Sequence, residues 1–400
     1  MKKLYTTSLL LFILSISLSF AQEEQTTENR TTFKFGGYIK ADFINTWYNN
    51  GQVSSTSPMK DIHFPAQIPV GDSENNYNLD FHVKESRFNF DVNTELLGQS
   101  IHGFIELDFL LSAQGNERVS NSFAPRMRHF YFEWGKLLVG QTWSTFMIVV
   151  VPDDLDFAGA AEGLVFNRQP QIRFTQNNWQ FSLENPETTL MGFQDPGIVE
   201  SEKEILPDLI IRRNFTFEKG FIGVAVLNRA LNGKTTNTQE TKTKYAFGIT
   251  SGGKFSVGSK GSDIRFMGTY GTGLGRYTAL GFTSAGVVDQ DRNIHGIGSI
   301  NGYVAYNHYW KPEKWSSSFN VSAYQAMNDM DLVSMEANET AYSFSGNLKY
   351  SPAPELLFGV EFIHGYRGLA DGMTSGSFNR LQFSAKYSFG YKNSIANEKR

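Results

Sequence analysis

From Arg87 to Leu96 the chain reads RFNFDVNTEL. Arg87, Asn89, Asp91, Asn93 and Glu95 alternate there with Phe88, Phe90, Val92, Thr94 and Leu96. A period of two sets the polar residues on one face of an extended strand and the apolar residues on the other. The pattern returns at 101–109, where Ile101, Ile105, Leu107 and Phe109 oppose His102, Glu106 and Asp108. It returns again at 380–389, where Leu381, Phe383, Ala385, Tyr387 and Phe389 oppose Arg380, Gln382, Ser384, Lys386 and Ser388. The wet face carries full charges. A soluble sandwich would turn the apolar face into a dry core. A membrane barrel would turn it to lipid, around a wet lumen.

The number of strands decides between these two. Sixteen alternating segments begin near Phe33, Lys84, Ser100, Arg126, Lys136, Arg168, Trp179, Asp208, Gly220, Lys244, Asp263, Asn301, Ser316, Thr340, Glu355 and Phe378. Closing so many strands leaves an interior too wide for side chains to fill. The connections alternate as well. Short Gly, Asn and Pro turns at 97–100, 134–136, 176–178, 218–220, 258–262, 311–314 and 351–354 separate longer stretches near 48–80, 112–124, 147–167, 186–206, 229–243, 272–299, 327–339 and 366–377. The predicted fold is therefore all-β: a 16-stranded antiparallel transmembrane β-barrel with long extracellular loops and short periplasmic turns. Trp47, Tyr48, Trp134, Trp179, Tyr309 and Trp310 fall near strand ends, where interfacial aromatic girdles belong.

Residues 1–21 combine Lys2 and Lys3, an apolar run from Leu9 to Phe20 and a small residue at Ala21, the pattern of an export signal. The run is too short for an anchor helix. The expected organisation is a signal peptide over 1–21, a short periplasmic tail over 22–32, the barrel over 33–391 and a C-terminal tail over 392–400. That places the protein in the outer membrane of a Gram-negative bacterium, with membrane lipid as its surroundings.

Several chemistries lack their residues. Cys is absent, so no disulfide scaffold or cysteine metal site is expected. His63, His82, His295, His308 and His364 show no metal spacing. DQDRN at 289–293 resembles a calcium loop, but its sixth place is Ile294 and its twelfth is Ile300. The formal charge of −4 and the lack of a basic stripe argue against a nucleic-acid partner. No cofactor or metal is expected. An alternative is a barrel enzyme that hydrolyses lipid, which needs a Ser or Thr beside a His on the lipid-facing wall. His102 and His129 lie on the wet parity, and no G-x-S-x-G occurs. A non-selective or structural barrel is the other alternative.

FIELDF at 104–109, RMRHFYFEWGKLLVGQTWSTFM at 126–147, LDF at 155–157 and RQPQIRFT at 168–175 resemble the DcaP-family porins of Gram-negative outer membranes. FKFGGYIKADF at 33–43 fits the same likeness, which covers roughly residues 33–185. The resemblance implies a trimeric sixteen-stranded porin that prefers small anionic, dicarboxylate-like solutes.

Selectivity in a wide pore arises from charged walls and a constriction. The third long loop, 147–167, has an apolar start and many small residues, which suit a segment folded inward. Its acids are Asp153, Asp154, Asp156 and Glu162. Basic candidates on the wet parity are Arg87, Arg173, Arg212, Arg265 and Lys386, with Arg168 at the loop's edge. Acids on the loop facing bases on the wall would set a field across the pore. Arg126 and Arg128 fall on the apolar parity of Phe130, Phe132 and Trp134. Either they lie above the membrane, or a bulge shifts the phase, or they face a subunit interface. The resemblance places their motif near the pore.

Overall fold

The computed structural model describes residues 30–111, 115–116, 120–200, 204–234, 241–258 and 261–396. The signal-peptide expectation, most of the N-terminal tail and residues 397–400 lie outside the described residues. The described strands close into a 16-strand antiparallel barrel. They are β1 (Arg30–Tyr48), β2 (Asn76–His82 continued by Arg87–Leu96), β3 (Gln99–Asp108), β4 (Arg126–Trp134), β5 (Leu137–Trp143), β6 (Arg168–Gln176), β7 (Trp179–Glu184) and β8 (Asp208–Phe217). The second half is β9 (Gly220–Lys234), β10 (Thr241–Val257), β11 (Ser262–Thr272), β12 (Gly298–Lys311), β13 (Trp315–Met327), β14 (Asn338–Ala353), β15 (Leu356–Leu369) and β16 (Ser375–Ala396). The last strand pairs back onto β1 from Arg30↔Ala396 to Tyr48↔Phe378. Backbone groups in hydrocarbon have no water to bond, so a spanning sheet has to close in this way.

The two faces are sorted as the alternation predicts. On β1, Phe35, Ile39, Phe43 and Trp47 are exposed, whereas Lys40, Asp42 and Thr46 are buried. On β14, Tyr342, Phe344 and Leu348 are exposed, whereas Ser343, Ser345, Asn347 and Lys349 are buried. Apolar side chains outside and polar ones inside is the inverse of a soluble core.

Three details differ from the sequence expectation. Barrel strands begin at Arg30 and run to Ala396, so residues 392–396 belong to the last strand instead of a tail. The second stave starts at Asn76, inside the stretch read as a loop, and breaks between His82 and Arg87. Gly37 marks this break. Its φ is +151°, and a Cβ there would sit 2.0 Å from the Arg87 carbonyl oxygen. Tyr48 is no girdle residue: it is buried with Met59, Ile68, Ile363 and Phe378 inside the barrel. Trp47, Trp179 and Trp310 do stand exposed.

A bulge decides the facing of Arg126 and Arg128. Glu106 of β3 pairs with His129, but Leu107 pairs with Met127, so Arg128 is an extra residue. Beyond it the phase reverses: Met127 is exposed, and Arg128 and His129 are both buried. Arg126 and Arg128 therefore point into the lumen.

A charge on the lipid side near the span's centre costs roughly 2–4 kcal/mol. Phe344→Arg is expected to destabilise the barrel by about that amount in reversible urea unfolding from vesicles. Unchanged stability would show that this face does not meet lipid.

Candidate functional site

Residues 144–167, between β5 and β6, pack inside the barrel. The apolar start comes first. Phe146, Met147, Ile148 and Val150 join Ile210, Ala225, Leu227, Met267, Tyr303 and Ala305 of the β8–β12 wall in one buried cluster. Inward apolar residues on these strands give the loop a dry surface, and burial of this kind contributes about 25 cal/mol per Å². Gly163 allows the closest approach: a Cβ there would meet the backbone of Gly302 at 2.4 Å.

An irregular backbone within a membrane protein has to find partners in the surrounding wall. Arg212 Nη1 donates to Met147 O at 2.9 Å, Tyr303 Oη to Val150 O at 2.7 Å and Arg265 Nη1 to Val151 O at 2.7 Å. The N–H groups of Leu155 and Asp156 donate to the two carboxylate oxygens of Glu361 at 2.7 and 2.8 Å. Lys40 Nζ donates to Leu155 O. The loop is thus tied to strands from β8 round to β16 and β1.

The loop's acids serve the same end. Asp156 meets Arg380 at 3.1 Å, with both side chains fully buried, and accepts the His63 N–H at 2.9 Å. Glu162 meets His63 at 3.0 Å and accepts from Ser343 Oγ at 2.6 Å. Asp153 meets Lys349 at 2.6 Å, and Asn320 Nδ2 donates to Asp154 at 2.6 Å. Desolvation beneath the loop and the nearby Glu361 carboxylate push the Asp154 carboxyl well above its ordinary range. All four acids engage the wall on the loop's own side.

The opposite wall is basic. Arg126 grips Asp108 through Nε and Nη2 at 2.8 and 2.7 Å. Arg128 bridges Glu106 and Asp108, each at 2.7 Å. Arg87 lies 3.6 Å from Glu106. The Arg126 and Arg128 guanidinium groups lie 5.5 and 5.2 Å from the Phe157 ring of the loop. Arg168 stacks 4.2 Å from Trp143, and its buried Nη1 has no hydrogen-bond partner. A cavity of about 220 Å³ lies between, lined by Arg87, Arg128, Trp143, Phe157 and Phe166 among others.

The sequence candidates therefore separate. Arg87, Arg126, Arg128 and Arg168 gather opposite Phe157. Arg212 and Arg265 cap loop carbonyls. Arg173 lies away from the group, 4.0 Å from Glu133, and Lys386 lies over the Tyr38 ring at 5.3 Å. Sequence reasoning missed Lys40, Glu361, Arg380 and His63 as partners of the loop. Wet parity marked Arg380 as inward, but nothing in the sequence pairs it with Asp156. Two histidines share the outward parity of their strands: His308, with Nδ1 2.9 Å from Tyr306 Oη, and His364, with Nδ1 3.0 Å from Asn379 Oδ1 and its ring stacked on Phe344 at 5.1 Å. Among the described residues no serine or threonine hydroxyl bonds to either.

The model of a family described as the DcaP outer membrane protein matches residues 14–389. The crystal structure of the outer membrane channel DcaP of Acinetobacter baumannii superposes with a TM-score of 0.73 at 23% identity, covering 92% of this chain and 100% of that one. An anion-selective porin from Comamonas acidovorans gives 0.52 at 8% identity, over 90% of this chain and 100% of that one. Salmonella typhi OmpF gives 0.52 at 9% identity, over 92% and 100%. No curated protein matches the chain.

Burial alone would lower the His63 imidazole, but Glu162 outweighs it and holds the imidazole above its ordinary value of 6.5. Burial likewise raises the Glu162 carboxyl, and His63 with two serine hydroxyls brings it below 4.5. Stability from the raised group is lost as pH rises through its folded value. Stability from the lowered group is lost as pH falls through its own. The pair therefore contributes fully between pH 4.5 and 6.5. Loop amides at 155–165 are expected to exchange most slowly in that window, after correction for intrinsic rates. Protection that keeps rising above the window would refute the assignment.

Proposed function

The chain belongs to the DcaP outer membrane protein family, and on that premise we propose that it is a porin selective for small anions, with dicarboxylate-like solutes preferred. Solutes pass between the loop at 147–167, which forms the constriction, and the wall carrying Arg87, Arg126, Arg128 and Arg168. It assembles as a homotrimer, as the sequence resemblance implies. One observation carries the reading of selectivity. The other acids that line the cavity are held by partners outside the arginine group, Asp156 by Arg380, Glu85 by Lys40 and Asp154 by Asn320, so among the described residues the four arginines face Phe157 with only Glu106 and Asp108 as ion-pair partners. Arginine suits this role because its planar fork stays charged and takes a carboxylate in two places. The aromatic rings give a flat surface for the solute's apolar part and exclude water from its flanks.

Planar-bilayer recording under a salt gradient is expected to give an anionic reversal potential and conductance that falls in steps of three. A cationic potential would overturn the selectivity. Liposomes should take up a small dicarboxylate faster than a neutral sugar of equal size. The double variant Arg87→Ala, Arg168→Ala is expected to reduce that ratio roughly two- to fivefold. An unchanged ratio removes these residues from the site. Glu361→Ala deletes both acceptors that hold Leu155 and Asp156 and is expected to raise single-channel conductance. Equal conductance would mean that the loop does not set the narrowest point.

A further inference from the structure

The outward face of β8 reads Leu209, Ile211, Arg213, Phe215, Phe217. Leu209, Phe215 and Phe217 are exposed to the membrane side. Arg213 shares their parity and is itself exposed, a full charge in an apolar row. Its neighbour Arg212 points inward to Met147 O. An outward charge is costly at mid-membrane and nearly free at an interface.

Register gives the level of Arg213. It pairs with Trp179, the first residue of β7 after the turn at 177–178. The next residue, Asn214, donates its N–H to Asn178 O of that turn at 2.9 Å. Arg213 therefore lies near the rim of short connections, in the aromatic belt. Its guanidinium sits 4.9 Å from the Trp179 ring and 4.8 Å from the Phe215 ring. Phe181 stacks beside Trp179 at 6.1 Å, and Phe217 lies 5.9 Å from Phe255. The two rings flank the cation on the exposed face of the wall. Among the described residues no carboxylate pairs with it.

We infer that Arg213, clamped between Trp179 and Phe215, binds the headgroup phosphate of a phospholipid in the leaflet at the short-turn rim. The occupant follows from the chemistry. What surrounds this face is lipid, whose acyl chains match Phe215, Phe217 and Phe181. The anionic group at the depth of an interfacial tryptophan is the phosphate diester. A guanidinium fork donates two parallel bonds to such an anion. The site does not depend on the porin reading, because it lies on the opposite face of the wall.

Native mass spectrometry of the full chain tests this, with dioctanoyl phosphatidylglycerol as the probe and dioctanoylglycerol, which lacks the phosphate, as control. The wild type is expected to retain one more phosphatidylglycerol than Arg213→Gln does. Its affinity for that molecule should be about tenfold higher. Arg213→Lys is expected to recover part of the loss, and Trp179→Leu to weaken binding with the charge intact. A heat-modifiable band on electrophoresis confirms that each variant folds, which is expected because removing a lipid-facing charge relieves a cost. Equal retention by Arg213→Gln, or equal retention of dioctanoylglycerol by the wild type, would overturn the proposal.

Discussion

Hydrocarbon offers nothing to a peptide group, and the whole architecture answers that fact. The sheet closes because an open edge in lipid would leave a row of bare donors and acceptors. Once sixteen strands have closed, the same demand moves inside. The segment from 144 to 167 has no ladder of its own, so the wall has to supply its partners. Arg212, Tyr303, Arg265, Lys40 and Glu361 do so. Several charges inside the barrel are thus committed to the loop's backbone before any solute is considered.

That commitment sets the electrostatics of the bore. The strands from β13 to β16 donate Lys349 and Arg380 to Asp153 and Asp156. These two buried cations each meet an opposite charge, which offsets the cost of their desolvation. The arginines on β2 and β4 share two carboxylates from β3 between them, and Arg168 on β6 lies over the Trp143 ring. In the proposed reading, this unequal division is the source of the field across the lumen.

Much of this was legible in the sequence. Period-two alternation gave the strand count and the facing of Arg87, Arg173, Arg212, Arg265 and Lys386, because the pleat repeats without reference to the rest of the chain. The facing of Arg126 and Arg128 was not legible, since a bulge arises from pairing with Glu106 and Leu107 and leaves no mark on the strand's own pattern. Tyr48 misled for a related reason: it follows Trp47 by one residue, and one residue changes the face. The partners of the loop were hidden most deeply. Leu155 and Glu361 are more than two hundred positions apart, and only closure brings them together.

The single extra residue in β4 also bears on how such a chain can vary in length. Phe130, Phe132 and Trp134 meet lipid while Arg126 and Arg128 meet water only because the count between them is one too many for a regular strand. Loss of one residue there would turn one of these sets to the wrong medium. A change of chain length that keeps both sets in their media has to fall in the connections beyond the rims.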